Sequence, residues 1–199
     1  MSVFDNEYYF IRRPRDDRIP NLGPDEDSLE KVYQRQVLPL GSKPFIFHNA
    51  RLESQLERNI IPIDPPLDIL FNGSNLLICE RIAEELRNLE IPNLAIQPAV
   101  YIDHKDVRHE NYWFLTFLKT FDCWDRENSA YDPEPMRDLT PKYEIYTYSL
   151  NESLLQKTPL KERLLFEMGG TTSGYITVHE SIADLFRVEW AEVLPITEY

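Results

Sequence analysis

The chain has 199 residues, which is enough to bury a substantial hydrophobic core without a disulfide or a structural metal. Acidic residues outnumber basic ones by 34 to 21, and the excess falls in residues 61–199, which carry 24 acids and 12 bases. A surface of this sign repels phosphate backbones and disfavours nucleic-acid binding, whereas it attracts a basic protein partner and speeds the encounter. Taken alone, the charge is also explained by ordinary solubility.

Two further features of the composition bear on the compartment. No apolar run reaches transmembrane length, and the N-terminal residues lack the pattern of a signal peptide. We therefore expect a cytoplasmic protein that does not enter a membrane. Cys79 and Cys123 lie far apart in apolar surroundings, which favours buried free thiols over a disulfide.

The N-terminal part is rich in proline and predicts short elements joined by irregular crossings. Ten of the fifteen prolines lie in the first half of the chain. The aromatic run Val3–Arg13 predicts a first strand, Ser28 is placed to cap a short helix, and Pro44–Asn49 predicts another strand. We expect one α+β domain over residues 1–199, and a distinct N-terminal lobe of residues 1–60 is the alternative organisation.

A strand that runs directly into an amphipathic helix comes next. Leu76–Ile78 has the pattern of an extended segment, and Cys79–Leu89 places its isoleucine and leucines on one helical face. Residues 78–84 are echoed by residues 178–184, at an offset of 100 positions. The echo indicates either a weak internal repeat or a coincidence between two strand-to-helix junctions.

The most apolar and aromatic stretch, Asn111–Tyr131, organises the second half of the chain. Up to Phe121 its side chains are largely apolar on both faces, which is typical of a strand inside a sheet. Acidic residues begin at Asp122 and surround Trp124. We therefore expect a buried strand that delivers an acidic, tryptophan-bearing loop to the surface.

Four further segments complete the predicted fold: Ala95–Ile102, Tyr143–Leu150, Glu162–Gly170 and Arg187–Ile196. Pro98 in the first segment indicates an edge position or a bulge. The second segment predicts a strand with one exposed aromatic edge, the third fits a strand or a short helix before a glycine-rich hairpin turn, and the fourth predicts a closing strand. Together the elements predict an α+β fold, with a mostly antiparallel sheet, a few short helices and a proline-rich N-terminal part.

Groups that could carry catalysis are few. Asp122, Asp125 and Glu127 form the densest carboxylate cluster beside a strand end, where metal-dependent hydrolases hold their acids, but Lys119 is the only nearby residue that could assist. A solvated loop whose acids cap local backbone N–H groups explains the cluster better. Cys123 lies among acids, which raise the pKa of a thiol and oppose a nucleophilic role.

Metal-binding and cofactor-binding motifs are also missing from the sequence. His104 and His109 lie in a charged loop whose spacing matches no metal-ligand motif, so we expect a solvated hairpin loop. The chain has no GxSxG, GxGxxG, CxxC or P-loop pattern. We therefore predict no catalytic residue, no metal and no cofactor.

Several blocks of the chain resemble a bacterial protein family. The blocks are EYYFIRR, LLICERIAEEL, NYWFLTFLKTFDCWDRENSAY, LLFEM and ITVHESIADLF, followed by the closing strand. The family pattern of a hydrophobic strand that passes into D-x-x-D-R-E-x-S is met by Asp122, Asp125, Arg126, Glu127 and Ser129. The resemblance covers roughly residues 67–195, with a looser match before that. The family, once known only as a domain of unknown function, is that of the immunity proteins of polymorphic toxin systems, with a myxobacterial type member.

The resemblance implies a protein that binds a cognate toxin and neutralises it stoichiometrically, without catalytic residues of its own. The acidic charge fits a basic toxin, of which nucleases are the commonest kind. We predict that the loop after the central strand binds the toxin, with Trp124 as aromatic anchor and Asp125, Glu127, Asp132 and Glu134 as charge partners. A metal-dependent hydrolase that uses the carboxylate cluster, and a general interaction module, are the alternatives.

Overall fold

The computed structural model describes residues 2–73, 75–136 and 140–199. Over these residues the chain forms thirteen β-strands and five short α-helices, which confirms the predicted α+β class. None of these helices is both long and apolar enough to cross a membrane.

The elements are short and alternate irregularly along the chain. The strands are β1 (Tyr8–Arg12), β2 (Leu22–Pro24), β3 (Phe45–Asn49), β4 (Ile69–Asn72), β5 (Asn75–Cys79), β6 (Leu94–Ile102), β7 (Arg108–Phe117), β8 (Thr120–Phe121), β9 (Ala130–Tyr131), β10 (Ile145–Thr147), β11 (Leu165–Met168), β12 (Ile176–His179) and β13 (Glu192–Pro195). The helices are α1 (Glu26–Tyr33), α2 (Leu52–Glu57), α3 (Glu80–Leu89), α4 (Glu152–Lys157) and α5 (Glu180–Ala183).

The chain divides into two compact units. Unit 1 comprises Met1–Arg12, Lys119–Arg187 and Glu192–Tyr199, and unit 2 comprises Arg13–Leu118 and Val188–Ala191. The alternative N-terminal lobe of residues 1–60 coincides with neither unit, because residues 13–60 share a sheet with residues 61–118. The single domain over residues 1–199 stays a prediction.

The sheet of unit 2 has six strands in the spatial order β2-β3-β6-β7-β5-β4. All neighbours are antiparallel except β3 and β6, which are parallel. The two ends of this sheet are joined, because Asn21 bridges Phe71 and the Asn72 side-chain amide donates to the Leu22 carbonyl at 2.6 Å. The sheet therefore curls towards a closed barrel, in which the edge strands cover each other.

Aromatic side chains fill the interior of unit 2. Phe45, Phe47, Tyr101, Tyr112 and Phe114 are all at most 1% exposed and belong to one hydrophobic cluster. The Phe114 ring lies 4.8 Å from the Phe45 ring and 5.4 Å from the Phe47 ring. Each fully buried side chain of this size contributes on the order of 2 kcal/mol, so β7, β6 and β3 form the stable centre of the unit.

Pro98 pairs with Trp113 of β7 on one side, whereas on the other side the pairing of β6 with β3 begins one residue later, at Ala99. Strand β6 is an inner strand of the sheet, but at Pro98 it has a paired neighbour on one side only, which fits the edge position predicted for this proline. The register between β6 and β7 also shifts between Ala99 and Tyr101, so the irregularity predicted as the alternative is present as well. The extra residue lies on β7, since two residues of β7 stand opposite Val100.

Helix α1 begins three residues earlier than predicted. Asp25 is its N-cap, and the Asp25 carboxylate accepts from the Ser28 N–H at 2.8 Å. The prediction that Ser28 caps the helix is wrong, because the carboxylate three residues earlier occupies that role. Ser28 is buried in the first turn, where its hydroxyl accepts from the Ile46 N–H at 2.8 Å.

The apolar run predicted as one strand to Phe121 is divided between the units. The central strand β7 ends at Phe117, and the boundary between the units falls between Leu118 and Lys119. Phe121 belongs to the short strand β8 in the sheet of unit 1. The predicted strand is therefore correct in kind and position up to Phe117, but too long.

The sheet of unit 1 has five strands in the order β13-β1-β12-β11-β8. Neighbours are antiparallel except β11 and β8, which are parallel. The glycine-rich turn predicted after residue 168 does connect two antiparallel strands, β11 and β12. Strands β9 and β10 form a separate two-stranded ribbon in the same unit.

Several predicted strands of unit 1 are shorter than expected. Val3–Asn6 is a 3-10 turn closed by a capping box between Ser2 and Asp5, so the first strand starts only at Tyr8. The segments predicted as strands over 143–150 and 187–196 reduce to β10 and β13. The segment Glu162–Gly170 contains a strand, β11, rather than a helix.

Candidate functional site: an acidic segment

We call residues 122–134 the acidic segment. It lies against the chain that leads into α4: the Asp125 N–H donates to the Ser149 carbonyl at 2.8 Å, and the Asn151 N–H donates to the Cys123 carbonyl at 2.7 Å. The Ser129 hydroxyl and the Ser149 backbone form two further hydrogen bonds, at 3.0 and 3.2 Å. The segment is therefore fixed to unit 1 by backbone pairing over its first half.

A buried carboxylate from the N-terminus fixes this arrangement. Asp5 is 0% exposed and accepts from the Leu150 N–H at 2.7 Å, from the Ser149 hydroxyl at 2.9 Å and from the Ser2 N–H at 2.7 Å. The carboxylate joins segments about 145 positions apart in sequence. The position of the acidic segment thus depends on the buried Asp5 carboxylate, both of whose oxygens accept hydrogen bonds.

Trp124 does not lie at the surface. Its side chain is 0% exposed, the Arg126 guanidinium lies 3.9 Å above its ring, and the rings of Tyr131 and Tyr143 contact it at 4.9 and 5.8 Å. The prediction that Trp124 is an exposed aromatic anchor is therefore wrong. The physical reason is that long-range pairing with Leu150 turns the ring inward, while its charged neighbours in sequence remain outside.

Asp122 is occupied by a local ion pair. Its two carboxylate oxygens accept from the two terminal nitrogens of Arg126, each at 2.6 Å, in the fork geometry that arginine forms with carboxylates. Gly170 packs on this pair and has a φ of +70°, and a Cβ at this position would lie 2.6 Å from a carboxylate oxygen of Asp122. The glycine-rich turn is therefore required by its contact with Asp122 as well as by its backbone conformation.

Asp125 closes its own turn. Its carboxylate accepts from the Glu127 N–H at 2.8 Å, from the Asn128 N–H at 3.2 Å and from the Asn128 side-chain amide at 2.9 Å. The Asn128 amide, helped by the two backbone N–H groups, holds the pKa of Asp125 below its ordinary value against the opposing effect of partial burial. Asp125 is therefore engaged in shaping the loop.

Glu127 and Glu134 are exposed, and within residues 2–73, 75–136 and 140–199 neither forms an ion pair with a lysine or arginine. Asp132 is half-buried and accepts from the Glu134 N–H at 2.9 Å, which orients the second acidic turn. The predicted charge partners thus fall into two classes. Asp125 and Asp132 shape the backbone, whereas the carboxylates of Glu127 and Glu134 are exposed and have no cation partner among the described residues.

The groups considered for catalysis have structural partners. Burial and the neighbouring Asp122 raise the pKa of the Cys123 thiol well above its ordinary value, and its sulfur lies 3.8 Å from that of Met168. The chain as described holds no group of three or more histidine, cysteine and acidic side chains arranged to bind a metal ion.

The histidine loop of unit 2 is closed by Asp103. One Asp103 oxygen accepts from the N–H groups of Lys105 and Val107 at 2.8 and 3.0 Å, and the other lies 2.8 Å from Nε2 of His109. Burial would raise the pKa of Asp103, but the hydrogen bonds from His109 and the backbone outweigh it and lower the pKa. His104 lies 3.5 Å from a carboxylate oxygen of Asp64.

The sequence of the chain matches the model of a known protein family. The model of the Immunity protein family (Imm11) matches residues 6–162. The chain belongs to this family. The match covers more than half of the chain, includes the acidic segment, and starts earlier than the resemblance suggested, because it includes the N-terminal region. No curated protein matches the chain.

The D-x-x-D-R-E-x-S pattern that carries the family resemblance is largely structural. Asp122 and Arg126 form the ion pair over Trp124, Asp125 caps the turn and Ser129 bonds to the Ser149 backbone. Glu127 is the one acid of the pattern whose carboxylate has no such task among the described residues.

One exposed residue beside the segment was not singled out from the sequence. Tyr146, in β10, is 54% exposed and lies on the strand that pairs with β9 of the acidic segment. The alternation over residues 143–150 predicts an exposed aromatic edge without distinguishing its members. In the structure Tyr146 is exposed and Tyr148 is buried, because the register shifts between Ile145 and Thr147.

Proposed function

We propose that this protein is an immunity protein that binds a cognate toxin in a stoichiometric complex and thereby neutralises it, without catalysing a reaction. The observation that carries the proposal is the family match over residues 6–162, which includes the acidic segment. We also propose that the chain acts in the cytoplasm, the compartment expected from its sequence.

The charge of the chain supports a basic toxin as the partner. Net charge is −13, and Glu127 and Glu134 hold carboxylates that no described cation neutralises. A surface with free carboxylates accelerates encounter with a basic protein and, for a nuclease, competes with phosphate for the same cleft. We propose that the acidic segment makes this contact, through Glu127 and Glu134 and with Asp125 and Asp132 as the residues that hold its shape.

The alternative of a metal-dependent hydrolase has less support. Asp122 is occupied by Arg126, and Asp125 is directed at backbone N–H groups of its own turn, so the two acids do not present converging free oxygens. A general interaction module remains compatible with the fold, but membership of an immunity protein family favours a toxin as the partner.

Co-expression with the protein encoded by the neighbouring upstream reading frame tests the proposal. We expect a 1:1 complex that survives size-exclusion chromatography, and we expect the chain to restore growth of cells that express the toxin. Light scattering gives the stoichiometry. Growth rescue without a complex would indicate a catalytic antidote and would contradict the proposal.

A charge-reversal pair tests where the toxin binds. In the double variant Glu127→Lys and Glu134→Lys, we expect the association rate at low salt to fall by about tenfold, and its salt dependence to weaken. The matched control is Glu84→Lys with Glu85→Lys, two exposed residues of α3 in unit 2 that change the net charge equally. Equal slowing in both variants would show that total charge matters and the acidic segment does not.

A further inference from the structure

The ribbon of β9 and β10 presents an aromatic ring to solvent beside the acidic segment. Glu144, the residue before β10, is exposed, and within β10 Ile145 is 5% exposed and Tyr146 is 54% exposed. Since alternate residues of a strand point to opposite faces, Glu144 and Tyr146 share the outer face, while Ile145 packs inward. A register shift between Ile145 and Thr147 places Tyr146 at a bulge, a device that redirects a side chain.

The backbone pairing also brings an acidic residue of the facing chain across from Glu144. The Asp132 N–H donates to the Glu144 carbonyl at 2.9 Å, so Asp132 lies directly across from Glu144. Further along the same pairing, the Met136 N–H donates to the Lys142 carbonyl at 3.0 Å, and Met136 is 64% exposed. The ribbon therefore combines an exposed aromatic ring, an exposed thioether and acidic side chains on one local structure.

The rings that hold the base of the ribbon are different ones. Tyr131 and Tyr143 contact each other at 5.4 Å and both contact the buried Trp124. Ile145 supplies the buried contact of β10 itself. Because packing is provided by these residues, the Tyr146 ring is available to a partner, and its removal should leave the ribbon folded.

We propose that Tyr146 is the aromatic centre of the toxin-binding surface and receives a lysine or arginine side chain of the toxin on its ring, with the exposed Glu144 pairing the same cationic segment. This inference rests on the proposed function and replaces Trp124 as the anchor. Cations bind over tyrosine rings, and tyrosine is enriched among the few interface residues that dominate binding energy. Met136 adds an apolar contact that adapts to the shape of its partner.

The test uses the full chain and the purified product of the upstream reading frame in a catalytically inactive form. For Tyr146→Ala we expect the dissociation constant to rise by about 30-fold, because a central aromatic contact is lost. For Tyr146→Phe, which keeps the ring, we expect a change of less than about threefold. Calorimetry or biolayer interferometry gives the constants, and thermal melting checks that each variant is folded.

The matched control is Tyr33→Ala, which removes another exposed tyrosine, 68% exposed on α1 of unit 2. We expect its dissociation constant to stay within about twofold of the unchanged chain. A complex that is unaffected by Tyr146→Ala, or that is weakened by Tyr33→Ala instead, would overturn this inference and leave the proposed function standing. Failure of the unchanged chain to bind the toxin would overturn the proposed function itself. A variant that changes only self-association would assign the ring to contacts between copies and overturn the inference.

Discussion

The two units carry almost the same net charge but hold their carboxylates differently. Unit 1 has 16 acidic and 9 basic residues, and unit 2 has 18 and 12. In unit 2, ion pairs with arginine or lysine engage Asp16, Asp17, Asp27, Asp64, Asp68, Glu80 and Glu110. In the acidic segment of unit 1 the corresponding pair is Asp122 with Arg126, and the described chain gives Glu127 and Glu134 no cation. Because the exposed Glu84 and Glu85 of unit 2 also form no ion pair among the described residues, unpaired acids alone do not locate the binding surface, and the charge-reversal experiment decides between the two units.

The units also differ in how distant parts of the chain are joined. In unit 2 a backbone bridge between Asn21 and Phe71 joins the two ends of one sheet. In unit 1 the buried carboxylate of Asp5 joins the N-terminus to Ser149 and Leu150. A charged group makes the connection in unit 1, whereas a backbone bridge and the neutral Asn72 amide make it in unit 2, so loss of the joining side chain should affect unit 1 more strongly.

The largest expected effect is the loss of Asp5. In Asp5→Ala the buried Leu150 N–H and Ser149 hydroxyl lose the carboxylate that accepts their hydrogen bonds. Because these buried donors are left without that acceptor, we expect the free energy of unfolding to fall by about 3 kcal/mol or more. The measurement is urea unfolding followed by circular dichroism. The control in unit 2 is Asp103→Ala, whose carboxylate is also buried but closes a local loop, and we expect about 1–2 kcal/mol.

An equal loss in both variants would contradict this difference between the units. Hydrogen exchange provides a second check. In Asp5→Ala, amide protection should fall over residues 122–134 and 145–151, and it should stay unchanged in β3 and β6 of unit 2.

A smaller effect is expected from two arginines that are arranged alike. Arg126 lies 3.9 Å above the Trp124 ring and pairs with Asp122, and Arg87 lies 3.9 Å above the Trp113 ring and pairs with Glu80. Arg126 also donates to the Trp124 carbonyl at 2.9 Å, and Trp124 is buried whereas Trp113 is half-buried. We expect Arg126→Ala to lower the free energy of unfolding by about 1–2 kcal/mol and Arg87→Ala by less than about 1 kcal/mol.

Chemical unfolding of the two arginine variants measures this difference. The variant Arg126→Lys keeps the charge but loses the two-pronged contact with Asp122, so we expect it to recover less than half of the loss. Full recovery by lysine would show that charge alone matters at this position, and a larger loss in Arg87→Ala would reverse the comparison.

Sequence patterns predicted most of the regular elements of both units. The apolar stripe of residues 79–89 corresponds to α3, and the short apolar runs correspond to β3 and β11. These elements were predictable because their periodicity is local and their ends carry proline or glycine. The two strand-to-helix junctions at Cys79 and His179 are also present, one in each unit, and their origin by duplication stays a prediction.

The acidic segment was predictable in charge but not in the orientation of its side chains. Trp124 stands among acids, and the backbone bridge that buries it comes from Leu150, 26 positions away. The role of Asp5 depends on partners about 145 positions away, although the Ser2–Asp5 spacing of a capping box was visible. Strict alternation predicts that Tyr146 and Tyr148 are both exposed, whereas in the structure Tyr148 is buried beyond the register shift.

The smallest effect concerns how acid pH acts on a carboxylate of each unit. In unit 2 the Arg18 side chain and its backbone N–H hold the pKa of Asp16 at about 2, and in unit 1 the Asn128 amide holds the pKa of Asp125 below its ordinary value. A carboxyl group whose pKa is lowered by folding stabilises the protein at neutral pH, and this contribution is lost as the pH falls through the folded-state value. For Asp16 the loss should therefore extend from about pH 4 down to about pH 2.

NMR titration of the side-chain carboxyl carbons measures both groups directly. In Arg18→Ala we expect the Asp16 midpoint to move up towards the ordinary value near 4, and in Asn128→Ala we expect the Asp125 midpoint to rise. Each substitution should leave the other unit's carboxylate unchanged, because both pKa shifts come from residues two or three positions away in sequence. A shift of the Asp125 midpoint in Arg18→Ala would show that the charges of the two units are coupled.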